Sequence, residues 1–239
     1  MSIALDLILI GIVLLCGWRG FRTGIINGVC GILAIIIALY GANLVSTVYY
    51  SEFTGMAEPF TNGIVDSAIA TVMEWNGTQE KEKDIPIVQL SPEEKSDPEA
   101  LSYAVYRQVG LIDSVSQQLS EDTAQTVDEA NYTLSEEITN RLCDRVVYVA
   151  LFTIAFLLIA IVFSVIGNIF DLSFGLPGHE NINHITGAVL GVAKGILLII
   201  IIGCVFRYAC LVIPEDTIAD TWLLENLTVS NKLASILGI

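Results

Sequence analysis

Long apolar runs occupy both ends of the chain, and a polar stretch separates them. Residues 23–51 and 146–170 contain no Asp, Glu, Lys or Arg. Residues 185–212 form a third apolar run around Lys194, and residues 2–18 form a fourth and shortest one. A helix crosses a bilayer with about 20 mostly apolar residues, and backbone groups facing lipid must be paired within their own element. The pattern predicts an all-α, polytopic membrane protein with four transmembrane helices.

The polar stretch is an acidic insert between the apolar runs at residues 23–51 and 146–170. Residues 51–145 hold 19 Asp or Glu and 6 Lys or Arg, so they carry most of the net charge of −15. Their middle, residues 76–98, contains three prolines and few large apolar residues. Such a composition opposes regular structure and offers little burial to offset the entropy of ordering. We expect a flexible loop there.

Helices are expected on both sides of this loop. Residues 59–74 have an amphipathic pattern, and in residues 101–119 apolar side chains recur three and four apart, which predicts one helix ending before Asp122. Thr133 and Glu136 fit a capping box, so the third transmembrane helix is expected to begin outside the membrane. The apolar face of residues 101–119 needs a partner. We expect it to fold back on this helix and form a small helical cap.

The predicted organisation has four parts. They are transmembrane helices 1 and 2 in residues 1–50, the acidic, partly helical extramembrane insert in 51–145, transmembrane helices 3 and 4 in 146–212, and an amphipathic tail in 213–239.

Charge and composition narrow the function classes. The chain of 239 residues is 54% hydrophobic and only 15% charged, with a mean hydropathy of +0.67 and 26 acidic against 11 basic residues. Nucleic-acid binding is excluded because it needs clustered Lys and Arg. Arg19 and Arg22 lie in the short turn between the first two predicted helices, which places that turn in the cytoplasm. Both termini and the insert are then expected outside.

Two sets of glycines are spaced by four residues. They are Gly20, Gly24 and Gly28 in the first half, and Gly187, Gly191 and Gly195 in the second. Such a spacing puts the glycines on one helix face, where another backbone can approach closely. The alternative is that glycine is simply common in membrane helices. The segments around the two sets also resemble each other, which indicates either a parallel duplication of a helical hairpin or a chance match of apolar sequence.

These residues resemble a known family. An early Asp6, then Arg19-Gly20-Phe21 with Gly24 before a long apolar helix, resembles the opening of the colicin V production protein family. The second half is similar in Gly167-Asn168-Ile169-Phe170, in Gly175-Leu176-Pro177-Gly178, and in the run from Thr186 to Gly195. The resemblance covers residues 2–50 and 146–212, and we expect residues 51–145 to depart from it. It implies a bacterial inner-membrane protein linked to colicin V production, with no established catalytic residues.

Few side chains offer chemistry. Asp6 and Lys194 are the ionisable groups expected at membrane depth, where such residues are functional candidates by default. Asp6 can reach headgroup water, and Lys194 can extend partway toward the surface, so a purely structural role is the alternative for both. Arg19 is most simply a topology determinant that meets lipid phosphates. The sequence contains no nucleophile–base pair, phosphate-binding loop or zinc spacing, so we expect no enzyme activity, no metal and no cofactor.

Two functions fit these features. The first is an inner-membrane accessory or scaffold protein in toxin export or envelope maintenance. The second is a small-solute transporter or channel built from several copies. The expected partners are the lipid bilayer and either further copies of the chain or other membrane proteins, and nucleic acid is not among them.

Overall fold

The computed structural model describes residues 2–74, 90, 94–130, 133–170 and 180–206, and the regular elements in these residues are all helices. They are α1 (Ser2–Glu74), α2 (Pro98–Val109), α3 (Asp113–Ala130), α4 (Leu134–Phe170) and α5 (Glu180–Phe206), with a 3-10 turn at Glu94–Ser96. The all-α prediction is confirmed. The predicted tail, residues 213–239, and most of the predicted loop, residues 76–98, lie outside the described residues.

Among the residues that the structure describes, three helices are long and apolar enough to cross a membrane. The qualifying segments are Leu5–Glu74, Leu134–Ile166 and Asn183–Gly203. The first of them contains a break at Gly24, where φ is 79° and ψ is −177°. The chain is therefore a multi-pass helical membrane protein, and the number of four crossings stays a prediction.

The chain divides into two compact units. Among the described residues, the apolar unit comprises Met1–Val48 and Ala150–Val205, and the acidic unit comprises Tyr49–Val149. α1 and α4 each contribute to both.

The apolar unit has small residues inside and large ones outside. Ala38, Ala42 and Ser46 are completely buried. Tyr40 and Leu15, by contrast, are at least 70% exposed. In water such a surface would be strongly unfavourable, whereas in lipid the helices are held together by close packing of small residues. This distribution is the one expected of a unit that lies in a bilayer.

The acidic unit contains a break that the sequence pattern did not predict. Residues 101–119 were expected to form one helix, but α2 ends at Val109 and α3 begins at Asp113. Gly110 adopts the left-handed conformation (φ 105°), and its N–H donates to the Arg107 carbonyl at 3.0 Å. Glycine favours this conformation because it has no Cβ. α3 then continues past the expected end before Asp122, to Ala130.

α3 packs on both α2 and α4. The Tyr106 hydroxyl of α2 lies 2.8 Å from Thr123 Oγ1 of α3, and burial raises the pKa of this phenol well above its ordinary value, so it stays neutral. Arg141 of α4 donates to Thr126 of α3 and to Glu137 Oε1, the latter at 2.7 Å. α3 thus lies on the helix that begins at Leu134, whereas packing of the apolar face of residues 101–119 on that helix stays a prediction. The Thr133 N–H donates to Glu136 Oε2 at 3.3 Å, which completes one half of the predicted capping box.

Two other boundaries differ from the prediction. Residues 59–74 are not a separate helix, because α1 runs through Pro59. Proline removes the bond to the carbonyl four residues earlier, which here belongs to the exposed Gly55 and is open to water. α5 begins at Glu180, earlier than residue 185, where the fourth transmembrane helix was predicted to start, so Asn183 and His184 belong to the helix.

We predict that Leu119→Ala destabilises the acidic unit by about 2–5 kcal/mol, because Leu119 is 2% exposed and its loss leaves a cavity. Limited proteolysis of the purified chain in detergent measures this as faster cutting within α2 and α3. The matched control is Gln118→Ala, since Gln118 is the exposed neighbour on the same helix. Equal protection of the two variants would contradict the packing described for α3.

Candidate functional site

The glycines of α5 lie directly against the first part of α1. A methyl group placed on Gly191 would meet the carbonyl oxygen of Cys16, and one placed on Gly195 would lie 2.9 Å from Cα of Val13. One placed on Gly187 would meet the carbonyl oxygen of Gly20. Backbone atoms cannot move aside as a flexible side chain can. Each of these α5 positions therefore requires glycine for the helices to come this close.

The contact is reciprocal. A methyl group on Gly20 would meet the carbonyl oxygen of Gly187 and lie 3.0 Å from Cα of Gly191. Gly20, Gly187, Gly191 and Gly195 thus form one line of backbone contact, which we call the glycine seam. Gly28 differs, because its methyl would lie 2.8 Å from the Leu190 side chain rather than from backbone.

The order of these contacts reverses at Gly24. Before Gly24, later residues of α1 meet earlier residues of α5, from Val13 with Gly195 to Gly20 with Gly187. After Gly24, Gly28 meets Leu190 and Gly31 meets Lys194, so both sequences now run in the same direction. The two arms of α1 within the apolar unit, residues 2–23 and 25–48, therefore pack on α5 in opposite directions. This reversal supports the prediction that α1 supplies two crossings.

Gly24 makes the turn possible. Its φ of 79° with ψ of −177° falls in a region that essentially only glycine adopts. A methyl group there would also lie 2.6 Å from Nδ2 of Asn183. The backbone conformation therefore favours glycine, and a side chain here would also displace the Asn183 amide.

Two side chains of α5 cap the helix ends at this turn. Asn183 Oδ1 accepts a hydrogen bond from the Ile25 N–H at 3.0 Å, and His184 Nδ1 donates to the Phe21 carbonyl at 2.6 Å. The rings of Phe21 and His184 are also in contact, with centroids 5.1 Å apart. These bonds satisfy backbone groups that a helix break leaves without intrahelical partners. The sequence pattern starts the fourth transmembrane helix only at residue 185 and so misses this role, although two polar residues directly before an apolar helix are a signal for it.

Lys194 lies inside the apolar unit against Gly31. A methyl group on Gly31 would be 3.1 Å from Lys194 Nζ, so Gly31, which sequence reasoning did not single out, provides the space for the amine. The half-buried Lys194 has no hydrogen bond or ion pair within the part of the chain that the structure describes. Asp6 lies seven residues before Val13, about 10 Å along the arm. It is therefore not level with Gly195, the residue after Lys194, which lies against Val13.

The two arginines that the sequence analysis singled out lie at the Gly24 turn. Arg19 and Arg22 are both exposed on the last turn of the first arm, beside Trp18, which is 68% exposed. Over the described ranges, no group of three His, Cys, Asp or Glu side chains could hold a metal ion. The arrangement can hold an amine among apolar helices and present two guanidinium groups at a fixed turn.

The second half of the chain is similar to a known protein family. Residues 114–230 match the family model described as Colicin V production protein. The match includes residues 146–212, where we noted a resemblance, while residues 2–50 lie outside it. It also begins within the insert, so the expectation that residues 51–145 depart from the family is wrong from residue 114 onward. No curated protein and no solved structure matches the chain.

We predict that Gly191→Leu separates α5 from the first arm, because a branched side chain would meet the Cys16 backbone. The expected result is a clearly lower melting temperature in detergent, followed by circular dichroism. Gly11→Leu is the control, since Gly11 lies on the same arm with nothing within 4 Å of a Cβ. Unchanged melting of Gly191→Leu would rule out the glycine seam as a determinant of stability.

We predict that Gly24→Ala costs at least about 1–3 kcal/mol, the typical strain of a side chain in this backbone region, with the contact to Asn183 adding to it. Gly11→Ala should instead be neutral or stabilise by up to about 1 kcal/mol, since alanine favours a helix over glycine. Unfolding in mixed micelles of rising SDS content gives both values. If the two variants unfold at the same SDS content, the turn geometry is not as described.

Proposed function

We propose, from the Colicin V production protein domain at residues 114–230, that this chain is a non-enzymatic accessory or scaffold protein of the bacterial inner membrane. In this role it assists production or export of a peptide toxin of the colicin V type, or maintains the envelope. The domain match is the observation that carries the proposal.

The packing of the apolar unit supports a scaffold. The glycine seam holds α5 and the first arm by backbone contact, and the Asn183 cap on Ile25 ties the second arm to α5. Such packing favours a rigid unit over a mobile one. The acidic unit, with its helices held together by buried side chains and hydrogen bonds, offers a folded surface for a partner protein. We propose further copies of the chain or other membrane proteins as its partners.

We propose a non-enzymatic role because the sequence supplies no paired catalytic groups. Acid–base and nucleophilic catalysis need two side chains within hydrogen-bond reach. Lys194, the amine inside the apolar unit, has no such neighbour among the described residues.

Deletion of the gene in a colicin V-producing bacterium tests this function. We expect the deletion strain to release less toxin or to become sensitive to detergent, and wild-type protein to restore the phenotype from the inner-membrane fraction. Gly191→Leu should fail to restore it, whereas Gly11→Leu should restore it. Normal toxin release together with normal detergent resistance in the deletion strain would overturn the proposal. Crosslinking in native membranes then distinguishes the two kinds of partner. Crosslinked copies of this chain have masses that are multiples of 25.9 kDa, whereas a product with another protein does not.

A transporter or channel built from several copies is the second candidate, and Lys194 favours it. An ionisable side chain at membrane depth marks a solute path more often than a packing site. Flux of small anions into liposomes containing the purified chain, compared with Lys194→Met, tests it. Absence of flux above empty liposomes would exclude this candidate.

A further inference from the structure

We propose that the Gly24 turn is a binding site for the phosphate group of anionic lipids, with Arg19 and Arg22 as its cations. Two exposed arginines and two exposed aromatic rings lie together at this turn, and α5 holds the backbone of the turn in place.

The positive charge of the apolar unit is concentrated at this turn. The sequence ranges 1–48 and 150–205 contain only three basic residues, and two of them are Arg19 and Arg22. They are three residues apart on a helix, so their side chains lie on the same side, and both are exposed. In a chain with a net charge of −15, this is a local cationic surface suited to an anion.

Guanidinium groups suit phosphate in particular. The planar fork of Arg donates two parallel hydrogen bonds to phosphate oxygens, which a point charge cannot do. Two such groups on neighbouring positions can contact the same phosphate or two phosphates of one lipid. The chemistry of the site therefore selects phosphate esters.

The flanking residues identify the source of the phosphate as lipid. Trp18 is 68% exposed and Phe21 is 46% exposed, on either side of Arg19. Tryptophan is enriched at the membrane–water interface, at the level of the headgroups, and Phe21 adds apolar surface beside it. The arginines beside them are then at the depth of lipid phosphates, while the rings contact the upper acyl chains.

The turn holds the arginines on a fixed backbone. The Phe21 carbonyl accepts from His184, the Ile25 N–H donates to Asn183, and Thr23 Oγ1 donates to the Arg19 carbonyl at 2.9 Å. The helix segment that carries both guanidinium groups is thus ordered before a lipid arrives. Preorganisation of this kind lowers the entropic cost of binding.

Quenching of Trp18 fluorescence by brominated lipids tests the proposal. The full chain, with Trp75 and Trp222 replaced by Phe, is reconstituted into phosphatidylcholine vesicles containing rising fractions of brominated phosphatidylglycerol or brominated phosphatidylcholine. We expect phosphatidylglycerol to associate about fivefold or more tightly, since each basic residue contributes about 1 kcal/mol at an anionic surface. The preference should weaken in high salt.

Variants distinguish a specific lipid-binding site from general electrostatic attraction to an anionic membrane. Arg22→Gln should remove most of the preference, and Arg19→Gln/Arg22→Gln should abolish it at an unchanged melting temperature. Arg22→Lys should retain part of it, because the charge remains without the fork. Arg145→Gln in the acidic unit is the matched control and should leave the preference intact.

Two results would overturn the proposal. One is equal quenching by the two brominated lipids in the otherwise unchanged chain. The other is loss of the preference when inorganic phosphate replaces chloride at constant ionic strength, which would show that the turn takes free phosphate rather than lipid. The assay involves no toxin, so its outcome is independent of the proposed accessory function.

Discussion

Close approach of two helix backbones, α5 and the first arm of α1, determines the geometry of the apolar unit. In lipid the hydrophobic effect does not bring helices together. Their association depends instead on dispersion contacts, and these are closest where glycine leaves no side chain between the two backbones. At Gly191 and Gly20 the approach is close enough that even a methyl group would meet backbone on the other helix. The position of α5 in turn places Asn183 and His184 at the Gly24 turn and Lys194 beside Gly31. The two groups of candidate residues thus depend on one contact.

Charge segregation is the second organising feature. Residues 1–48 and 150–205 contain three acidic and three basic residues, while residues 51–145 carry a net charge of −13. Charged groups cost least where water or headgroups can reach them, and the acidic residues are accordingly placed in a unit with its own buried side chains. Inside that unit, Tyr106 and Arg141 pair with hydroxyl and carboxylate groups, because a buried polar group without a partner is costly.

The sequence allowed prediction of those features that follow from local periodicity. The uncharged runs predicted helices, and Thr133 with Glu136 located the start of α4. The glycine spacing indicated a face for close contact but not its partner, because spacing on one helix carries no information about the other. The caps by Asn183 and His184 were missed since their acceptor and donor groups lie about 160 residues away. The break at Gly110 was missed because the apolar stripe continues across it, and only the backbone conformation reveals that two helices share the stripe.

The separation of those caps along the chain has a consequence for biogenesis. Residues 21–25 leave the ribosome long before Asn183 and His184 exist, so the hairpin of α1 enters the membrane with its turn uncapped. At a synthesis rate of about 5–20 residues per second, the remaining segment takes on the order of 10–30 seconds. During that interval the glycine face of the first arm lacks the helix that covers it in the complete fold. The apolar unit is therefore completed late, when α5 arrives between the two arms and supplies both the packing surface and the missing hydrogen bonds.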